Sequence, residues 1–412
     1  MNRLQGIIGI CLILGIAFLF SNNKRKINLR LVISGLLLQL VIGVLVLKVP
    51  IIRIFFQKIG MGISKMEGFA REGVNFVASG FIVNTPNGFQ PFGNASHSGF
   101  VFVLNISATI ILVCILVAIL YQLKVMQAII QVIAKGMNKI MKVSGAEALS
   151  NVASAFVGQV EAQVMIRPYL KNMTKSELLA SMSGSLACIA GSILIVYANM
   201  GAKVEYLLAA SLMAAPGSLV IAKIIYPETI ESETFGTVKL KIEKPYTNLL
   251  DAISHGVGDG IKLSVNVVGM LIGFIALITL INYGLGKIYP ELSLNFIFSK
   301  LFYPIAWAMG VPYNDVANVS TLLGQKLTIN EFIAFNNLTT KTVPIITEKG
   351  LAIVTFAICG FANFSSVGML IGGIGSLAPE RKKDLAQLGF KALLCGSLAS
   401  YLSATIAGIL IN

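Results

Sequence analysis

The segment AFVGQVEAQVMIRPYL, residues 155–170, places three polar side chains in a stretch that is otherwise short of charge. Gln159, Glu161 and Gln163 follow directly after Gly158, and basic residues flank the segment on both sides. Flanking basic residues mark the cytoplasmic face, so a segment with basic residues at both ends enters and leaves there. Non-helical backbone at membrane depth requires a cover of protein or a water-filled cavity. The pattern therefore predicts a re-entrant hairpin that opens to the cytoplasm, with Gly158 near its tip.

The rest of the chain has the composition of a polytopic α-helical membrane protein. Of its 412 residues, 56% are hydrophobic and only 12% are charged, whereas soluble domains carry about 25% charged residues. Several apolar runs reach the roughly 20 residues that cross a hydrocarbon core of about 30 Å. A β-barrel would instead show short alternating segments. We predict about eight transmembrane helices, the first of which is a retained span at 6–20 and not a cleaved signal peptide.

The formal net charge of +14 is topology information and does not indicate nucleic-acid binding. Lys and Arg lie in the loops between apolar runs, as in the clusters at 24–26 and in PERKKD at 379–384, which mark cytoplasmic loops. This arrangement predicts a multi-pass protein of the inner, cytoplasmic membrane with both termini outside. The five cysteines lie in apolar segments without metal-ligand spacing, so we expect neither a disulfide nor a metal site.

A second set of elements repeats the first. Residues 313–341 form a moderately apolar stretch that contains LLGQKLTINEF, and the apolar run after it is interrupted by CGFANFSSVG at 359–368. The run after the first hairpin is likewise interrupted, by SGSLACIAGS at 183–192. Flanking charges place the first hairpin inside and the second outside, as an inverted repeat requires. Paired interrupted helices in corresponding positions indicate a transporter with its binding site at the membrane midplane.

This pattern divides the chain into four predicted segments. Residues 1–142 hold N-terminal scaffold spans and an interfacial helix. Residues 143–225 form the first transport repeat, with hairpin 1, broken span 4 and span 5. Residues 226–312 contain a cytoplasmic loop, scaffold span 6 and an external amphipathic helix. Residues 313–412 form the second transport repeat, with hairpin 2, broken span 7 and span 8.

Glu161 and Glu331 are the acids that we expect deepest in the membrane. A charge at the centre of a spanning helix costs about 2.5–3.5 kcal/mol on insertion scales, so acids at depth mark function. The alternative is that both hairpins are loops and the acids are solvated. Lys326 either pairs with Glu331 or binds an anion, and pairing is the preferred interpretation.

The second helix break adds polar and aromatic groups. Asn363 and Ser366 place an amide and a hydroxyl there, although such residues also serve as packing contacts between helices. Phe361 either stacks on a ligand ring or belongs to the core. Carboxylates, amides, hydroxyls and an aromatic ring together suit a neutral polyhydroxylated ligand that has an aromatic face. The sequence contains no catalytic triad, metal cluster or phosphate loop.

At these residues the chain resembles the concentrative nucleoside transporter family. GQVEAQ at 158–163 is similar to the family's GQTEAP or GQSEAP motif. NEF at 330–332, CGFANFSS at 359–366 and GSLAPERKKDLAQLG at 375–389 match the family closely. The resemblance covers the whole chain. It implies a homotrimer of eight spans with two oppositely oriented re-entrant hairpins, acting as a symporter and not as an enzyme.

The resemblance also implies which residues bind the nucleoside. Gln159 and Glu161 would face the nucleobase, while Glu331, Asn363 and Ser366 would bind the ribose. Phe361 would lie against the base, and Ile193 matches a valine of the family's base pocket. The implied substrate-binding set is Gly158, Gln159, Val160, Glu161, Ile193, Glu331, Phe361, Asn363 and Ser366.

The chain departs from the family's pattern at two places. Val160 replaces the Thr or Ser of the motif, which removes a hydroxyl near the base. Because polar groups in a site discriminate strongly between substrates, we predict a preference for purine nucleosides. The resemblance also implies a sodium site, whose side-chain ligands, Asn and Ser in the family, are Ser154 and Cys188 here, with carbonyls at Val157 and Ile189. A thiol is a soft ligand that suits Na⁺ poorly, so this cation site is interpreted as vestigial.

We therefore predict proton-coupled symport, with Glu161 or Glu331 as the proton carrier, because removal from water favours the neutral form of a carboxyl group. A sodium-coupled symporter of broad or pyrimidine specificity is the alternative. Two remoter alternatives are a channel or facilitator and an integral-membrane hydrolase that uses the two acids as a pair. Accumulation against a gradient would exclude a facilitator, and recovery of intact nucleoside would exclude a hydrolase.

Overall fold

The computed structural model describes residues 2–78, 82–85, 88–91, 99–230, 232–234 and 246–411. Within these ranges the chain is almost wholly helical, in agreement with the predicted all-α fold. One pair of short antiparallel strands, β1 (Ile82–Thr85) and β2 (Gly88–Pro91), is the exception there. Residue 231 and residues 235–245, which belong to the predicted cytoplasmic loop, lie outside the described residues.

The described part of the N-terminal third consists of five α-helices and the β1–β2 pair between the third and fourth of them. The Asn28 side chain accepts a hydrogen bond from the Leu31 backbone N–H at 3.2 Å and so caps the second helix. A bend of 72° separates the fourth and fifth helices, and Lys124 between them has a φ of 62°. The helices are α1 (Asn2–Leu19), α2 (Leu29–Lys48), α3 (Pro50–Ala78), α4 (Gly99–Gln122) and α5 (Val125–Met141).

The first predicted repeat contains short helices followed by an interrupted one. Ser144 and Thr174 are the N-caps of the first and the fourth of these helices, and each forms a capping box. The side chains of Glu147 and Glu177 accept hydrogen bonds from the backbone N–H groups of these two caps. The interruption falls at 188–190, inside the predicted interval. The helices are α6 (Gly145–Ser154), α7 (Glu161–Val164), α8 (Arg167–Leu170), α9 (Lys175–Ala187), α10 (Gly191–Asn199) and α11 (Val204–Ile225).

In the second half of the chain, three helices precede the second predicted repeat, which again has short helices followed by an interrupted one. Asn330, Thr347 and Asn363 each cap a helix with a side-chain oxygen, and the interruption lies at 359–363. The helices are α12 (Leu249–Ile288), α13 (Leu294–Leu301), α14 (Tyr303–Ala308), α15 (Val316–Thr328), α16 (Glu331–Thr339), α17 (Glu348–Ile358), α18 (Phe364–Leu377) and α19 (Lys382–Leu410).

The helices of the two repeats pack on one another around α11 and α19. Helix α11 contacts α9 and α19, and α19 contacts α9 and α17. The N-terminal helices α1 and α2 pack on this pair, whereas α4 packs along α12. Of the apolar stretch of each helix, 89% is buried in α11 and 83% in α19, but only 33% in α2. The repeats therefore form the interior, and α2 presents apolar surface outward.

Four helical segments among the described residues are long and apolar enough to cross a membrane, or five if the bent pair α4–α5 counts as one span. The sequence predicts about eight. The apolar helix Phe364–Leu377 is shorter than a span, because the break at 359–363 separates it from α17. The four long segments are Leu29–Lys48, Lys175–Asn199, Val204–Ile225 and Pro379–Leu410.

Buried charges anchor the base of hairpin 1. The Lys223 ammonium, on α11, pairs with the Glu147 carboxylate in α6 and with Glu228 at 3.2 Å. It also donates to the Ser176 hydroxyl of α9 at 2.9 Å. Breaking such a buried pair by removing one partner is strongly destabilising. This cluster therefore fixes the start of α6 against α9 and α11.

Arg381 corrects the interpretation of the PERKKD run as a topology signal alone. Its side chain is buried, and Nη1 donates to the carbonyls of Leu170, Lys171 and Met173 at 3.0, 2.9 and 2.7 Å. A cation near a helix C-terminus is favoured because the last carbonyls lack partners there. Arg381 therefore joins the second repeat to the end of hairpin 1.

Candidate substrate and coupling site

The two helix interruptions and the tip of hairpin 1 meet in space. Gly360, in the second interruption, has a φ of 125°, and a Cβ there would overlap the carbonyl oxygen of Ala187, the last residue of α9 before the first interruption. The Gly191 N–H donates to the Phe156 carbonyl of hairpin 1 at 3.1 Å. Backbone polar groups that no helix uses are thereby concentrated at one place, the kind of position where transporters bind substrates and ions.

Glu331 is the acid at the centre of the second repeat. It is the first residue of α16 and only 7% exposed. Its Oε1 accepts from the Tyr197 hydroxyl at 3.1 Å, and its Oε2 accepts from Asn363 Nδ2 at 2.8 Å. Each carboxylate oxygen can accept a further hydrogen bond. The carboxylate is therefore held in one orientation and keeps acceptor capacity for a ligand.

Asn363 organises the start of α18. Its Oδ1 accepts from the Ser366 backbone N–H and from the Ser365 hydroxyl, both at 2.8 Å. Because this oxygen is occupied by the helix cap, Nδ2 is directed to Glu331. The structure thus brings together the predicted ribose-binding residues Glu331, Asn363 and Ser366.

Tyr197 belongs to this cluster although the sequence did not point to it. The side chain is fully buried. Its ring stacks on Phe335 with centroids 4.3 Å apart and contacts Phe332 at 6.0 Å. In the sequence Tyr197 closes an apolar run in the first repeat, and no neighbour marks its hydroxyl. Only packing of the two repeats places that hydroxyl on Glu331.

The tip of hairpin 1 presents a second acid in a different environment. Glu161 is exposed, whereas Glu331 is buried. The Glu161 carboxylate lies against Gly158, where a Cβ would clash with it. The Oε1 atom of Gln159 is buried and has no hydrogen-bond partner within the described chain. A buried oxygen without a hydrogen-bond partner is energetically costly, so Gln159 is suited to accept a hydrogen bond from a ligand.

The remaining predicted base-pocket residues are apolar. The Val160 methyl groups pack against Gly373 in α18, which connects the tip of hairpin 1 to the second broken helix. Ile193 is 7% exposed, and Phe361 is partly buried against the core. Apolar side chains of this kind can contact a flat ring but cannot form hydrogen bonds with it.

The polar side chains of the predicted vestigial cation site form hydrogen bonds with neighbouring protein groups. The Ser154 hydroxyl bonds to the Ser150 carbonyl at 2.7 Å and to the Ser185 hydroxyl at 3.1 Å. The Ser211 hydroxyl of α11 lies 3.4 Å from the carbonyl oxygens of both Ala155 and Ile189. Cys188 Sγ lies 3.6 Å from the Ser211 carbonyl, and Val157 is buried. The sequence did not point to Ser211, which is a serine within a long apolar helix.

Gln163, which the sequence left unexplained, fastens hairpin 1 to α9. Its Nε2 donates to the Ser185 hydroxyl at 2.8 Å, and its Oε1 accepts from the Ser181 hydroxyl at 2.7 Å. The side chain is fully buried. Both polar ends of the amide are therefore satisfied, and the role of Gln163 in this structure is structural.

Lys326 does not pair with Glu331, and that prediction is wrong. Its ammonium donates instead to the Ala357 carbonyl at 3.1 Å and to the Ser400 hydroxyl at 3.4 Å. Lys326 lies near the end of α15, and the break at 329–330 intervenes before Glu331 opens α16. The two side chains consequently belong to different helices and have different partners.

Comparison with known proteins places the whole chain among nucleoside transporters. Three family models match it in sequence order: "Na+ dependent nucleoside transporter N-terminus" at 8–81, "Nucleoside recognition" at 103–204 and "Na+ dependent nucleoside transporter C-terminus" at 206–408. The second match contains hairpin 1, and the third contains hairpin 2 and its broken helix.

Full-length relatives support the same grouping. The nucleoside permease NupC of Helicobacter pylori is 39% identical, over 100% of this chain and 98% of that protein. The putative nucleoside permease NupX of Escherichia coli is 36% identical, over 100% of both chains. The sodium/nucleoside cotransporter 1 of Rattus norvegicus is 35% identical, over 99% of this chain and 64% of the rat protein.

Solved structures match the fold closely. CNTnw in an inward-facing substrate-bound state superposes with a TM-score of 0.91 and 39% sequence identity, over 99% of this chain and 98% of CNTnw. A CNTnw variant in an outward-facing state gives 0.90 at 38% identity, over 99% of this chain and 98% of the variant. These matches confirm the predicted all-α membrane transporter fold.

Proposed function

This chain belongs to the concentrative nucleoside transporter family, and we propose that it imports nucleosides, purine nucleosides above all, in symport with protons. The observation that carries the proposal is the cluster at the helix breaks. There the Glu331 carboxylate is held by Tyr197 and Asn363, and a buried oxygen of Gln159 lacks a partner. A carboxylate of this kind can bind the ribose hydroxyls, and the amide of Gln159 can bind the polar edge of the base.

The proposed substrate contacts follow from the chemistry of each group. Glu331 accepts hydrogen bonds from ribose hydroxyls, and Asn363 and Ser366 hold the same face of the sugar. Gln159 reads the edge of the base, and Glu161 contacts it directly or through water. The base lies between apolar groups contributed by the residues Val160, Ile193 and Phe361.

The apolar character of the base pocket supports a purine preference. Val160 packs on Gly373 and carries no hydroxyl to pair with a polar edge. A larger ring system buries more apolar area, at about 25 cal/mol for each Å² removed from water. A purine therefore gains more binding free energy than a pyrimidine from contact with the same apolar side chains.

The hydrogen bonds at the first helix break support proton coupling. The Ser154 hydroxyl is bonded to Ser150 and Ser185, and the Ser211 hydroxyl lies within hydrogen-bond reach of the Ala155 and Ile189 carbonyls. Na⁺ at this place would share oxygens that already take part in these bonds, and Cys188 would offer it only a thiol, which is a soft ligand. Protonation of a carboxyl group requires no metal ligands. Glu161 is exposed and can exchange a proton with water, while Glu331 is the carrier next to the proposed ribose site.

Symport of one positive charge is sufficient for accumulation. Moving one elementary charge through 100 mV supplies about 2.3 kcal/mol. Since about 1.4 kcal/mol corresponds to a tenfold ratio, that energy supports roughly 50-fold accumulation of a neutral nucleoside. A pH gradient adds to it.

For the architecture, we propose that the repeats at 143–225 and 313–412 form a transport domain that moves against a scaffold. The packing of α4 along α12, apart from the α11–α19 pair, supports these two helices as scaffold. The inward-facing and outward-facing states of CNTnw support alternating access. We further propose a homotrimer in the inner membrane with both termini outside.

The test is uptake of inosine and uridine into proteoliposomes under separately imposed proton and sodium gradients. Accumulation of intact inosine with protons alone is expected, together with weaker uptake of uridine. Accumulation only with sodium would contradict the coupling proposal. Equilibration without accumulation would indicate a facilitator, and recovery of free base would indicate a hydrolase.

Two acid-to-amide variants give a matched control. Glu331→Gln is expected to lose uptake because the amide adds a donor where the ribose hydroxyls also donate. Glu348→Gln is expected to retain it, since Glu348 is exposed and its carboxylate pairs with Lys203 at 2.8 Å. Equal uptake by both variants would exclude Glu331 from the site.

A further inference from the structure

Lys326 is a fully buried lysine whose ammonium has no carboxylate oxygen within 4.0 Å in the described part of the chain. Lys223 is also buried but pairs with two carboxylates, those of Glu147 and Glu228. Removing an ammonium from water has an effective cost of several kcal/mol, which other groups must offset. The neutral groups around Lys326 must therefore be arranged to hold a positive charge.

The partners of Lys326 are those of a bound cation. The ammonium donates to the Ala357 carbonyl and the Ser400 hydroxyl, and it lies 5.8 Å from the centroid of the Tyr401 ring. Ala357 is in the last turn of α17, where carbonyls have no partner within the helix and the helix dipole is negative. In transporters with broken helices, these C-terminal carbonyls are the groups that coordinate cations.

The first repeat has the same arrangement without a fixed positive charge. The Ser211 hydroxyl of α11 lies 3.4 Å from the Ile189 carbonyl in the first break, and the Ser400 hydroxyl of α19 lies 3.3 Å from the Cys359 carbonyl in the second. The side chains at the first break are those of Ser154, Cys188 and Ser211, all neutral groups. Repeat 2 differs because an ammonium from its own hairpin reaches the end of the broken helix.

We infer that Lys326 is a tethered cation that takes, at the second helix break, the place of a dissolved ion. It holds hairpin 2 (α15 and α16) on α17 and α19 whether or not a coupling ion is bound. The inference rests on the proposed function, because Glu331 of the same hairpin is the proposed ribose ligand and is positioned by this contact. One consequence is that no dissolved metal cation is expected at the second helix break.

The experiment compares inosine binding to purified full-length variants in detergent. Lys326→Ala is expected to weaken binding about tenfold or more, since hydrogen bonds to a charged group contribute about 1.5–3 kcal/mol each. Methylammonium chloride is expected to restore most of the loss by supplying the missing cation to the cavity. Tetramethylammonium, which has the same charge but cannot donate hydrogen bonds, should not restore it.

Two further variants separate charge from packing. Lys326→Met fills the space without a charge, so it should weaken binding and not respond to methylammonium. Lys326→Arg keeps the charge and hydrogen-bond donors, so it should bind inosine more tightly than Lys326→Met does. Lys300→Met, which removes an exposed lysine from α13, is the control.

Wild-type-like binding by Lys326→Met would overturn the inference, as would a Lys326→Ala protein that methylammonium fails to restore. If Lys326→Ala does not fold, the contrast between the Met and Arg variants decides the matter alone. If the unmodified protein binds no nucleoside, the proposed function fails. The inference is then tested by whether methylammonium raises the thermal unfolding temperature of Lys326→Ala.

Discussion

Tyr197→Phe isolates the contribution of one hydroxyl to the proposed ribose site. The change removes the donor to Glu331 Oε1 and keeps the ring, which stacks on Phe335 at 4.3 Å. A hydrogen bond to a charged group contributes about 1.5–3 kcal/mol. Because Asn363 still holds Oε2 at 2.8 Å, we expect the lower end of that range. At about 1.4 kcal/mol for each factor of ten, inosine binding should weaken about tenfold.

The assay is inosine binding to purified protein together with uptake into proteoliposomes at a fixed pH gradient. Binding of 2′,3′-dideoxyinosine gives a second readout, because that compound lacks the hydroxyls that Glu331 is proposed to accept. Tyr197→Phe should therefore weaken inosine binding more than dideoxyinosine binding. A general structural defect would weaken the two alike.

The matched control is Tyr206→Phe. Tyr206 also packs on a buried aromatic ring, that of Phe356 at 6.1 Å, but it is not a donor to Glu331. Inosine binding within about twofold of the unmodified protein is expected for the control. The reasoning is refuted if Tyr197→Phe behaves like the control, or if both nucleosides weaken by the same factor.

Three other changes test the hairpin and the ion site. Glu161→Gln should abolish or uncouple uptake, and unchanged pH-driven accumulation would remove this acid from the mechanism. Ser154→Asn combined with Cys188→Ser should create sodium dependence, because both positions then carry hard oxygen ligands. A folded double variant without a sodium response would contradict the assignment of these two positions to the sodium site. Gln163→Leu should lower the thermal unfolding temperature, since each buried hydroxyl left without its partner costs about 1–3 kcal/mol; an unchanged melting curve in detergent would show that the two serines find other partners.

The fold was largely predictable because its causes are local. Apolar runs of spanning length, basic loops and two interrupted helices are properties of short segments, and each appears directly in the sequence. The count of spans was less predictable. The helix Phe364–Leu377 is shorter than a span, because the break at 359–363 separates it from α17.

The site was predictable only where a motif marked it. Glu331 and Asn363 stand in motifs, and the structure places them 2.8 Å apart at a helix break. Tyr197 and Ser211 were missed, because a single hydroxyl in an apolar helix gives no signal until its partner is known. Arg381 was assigned to topology alone, because a basic run reads the same whether its side chains are solvated or buried.

The sequence by itself determined that the chain is helical and that it is a membrane protein, because these follow from hydropathy and charge along the chain. Only the tertiary structure decided which groups meet. It placed the Tyr197 hydroxyl on Glu331, gave Lys326 a helix C-terminus in place of a carboxylate and gave Gln163 two serines. Partners in a packed interior come from distant parts of the chain, and the direction of a side chain depends on how the helices pack around it.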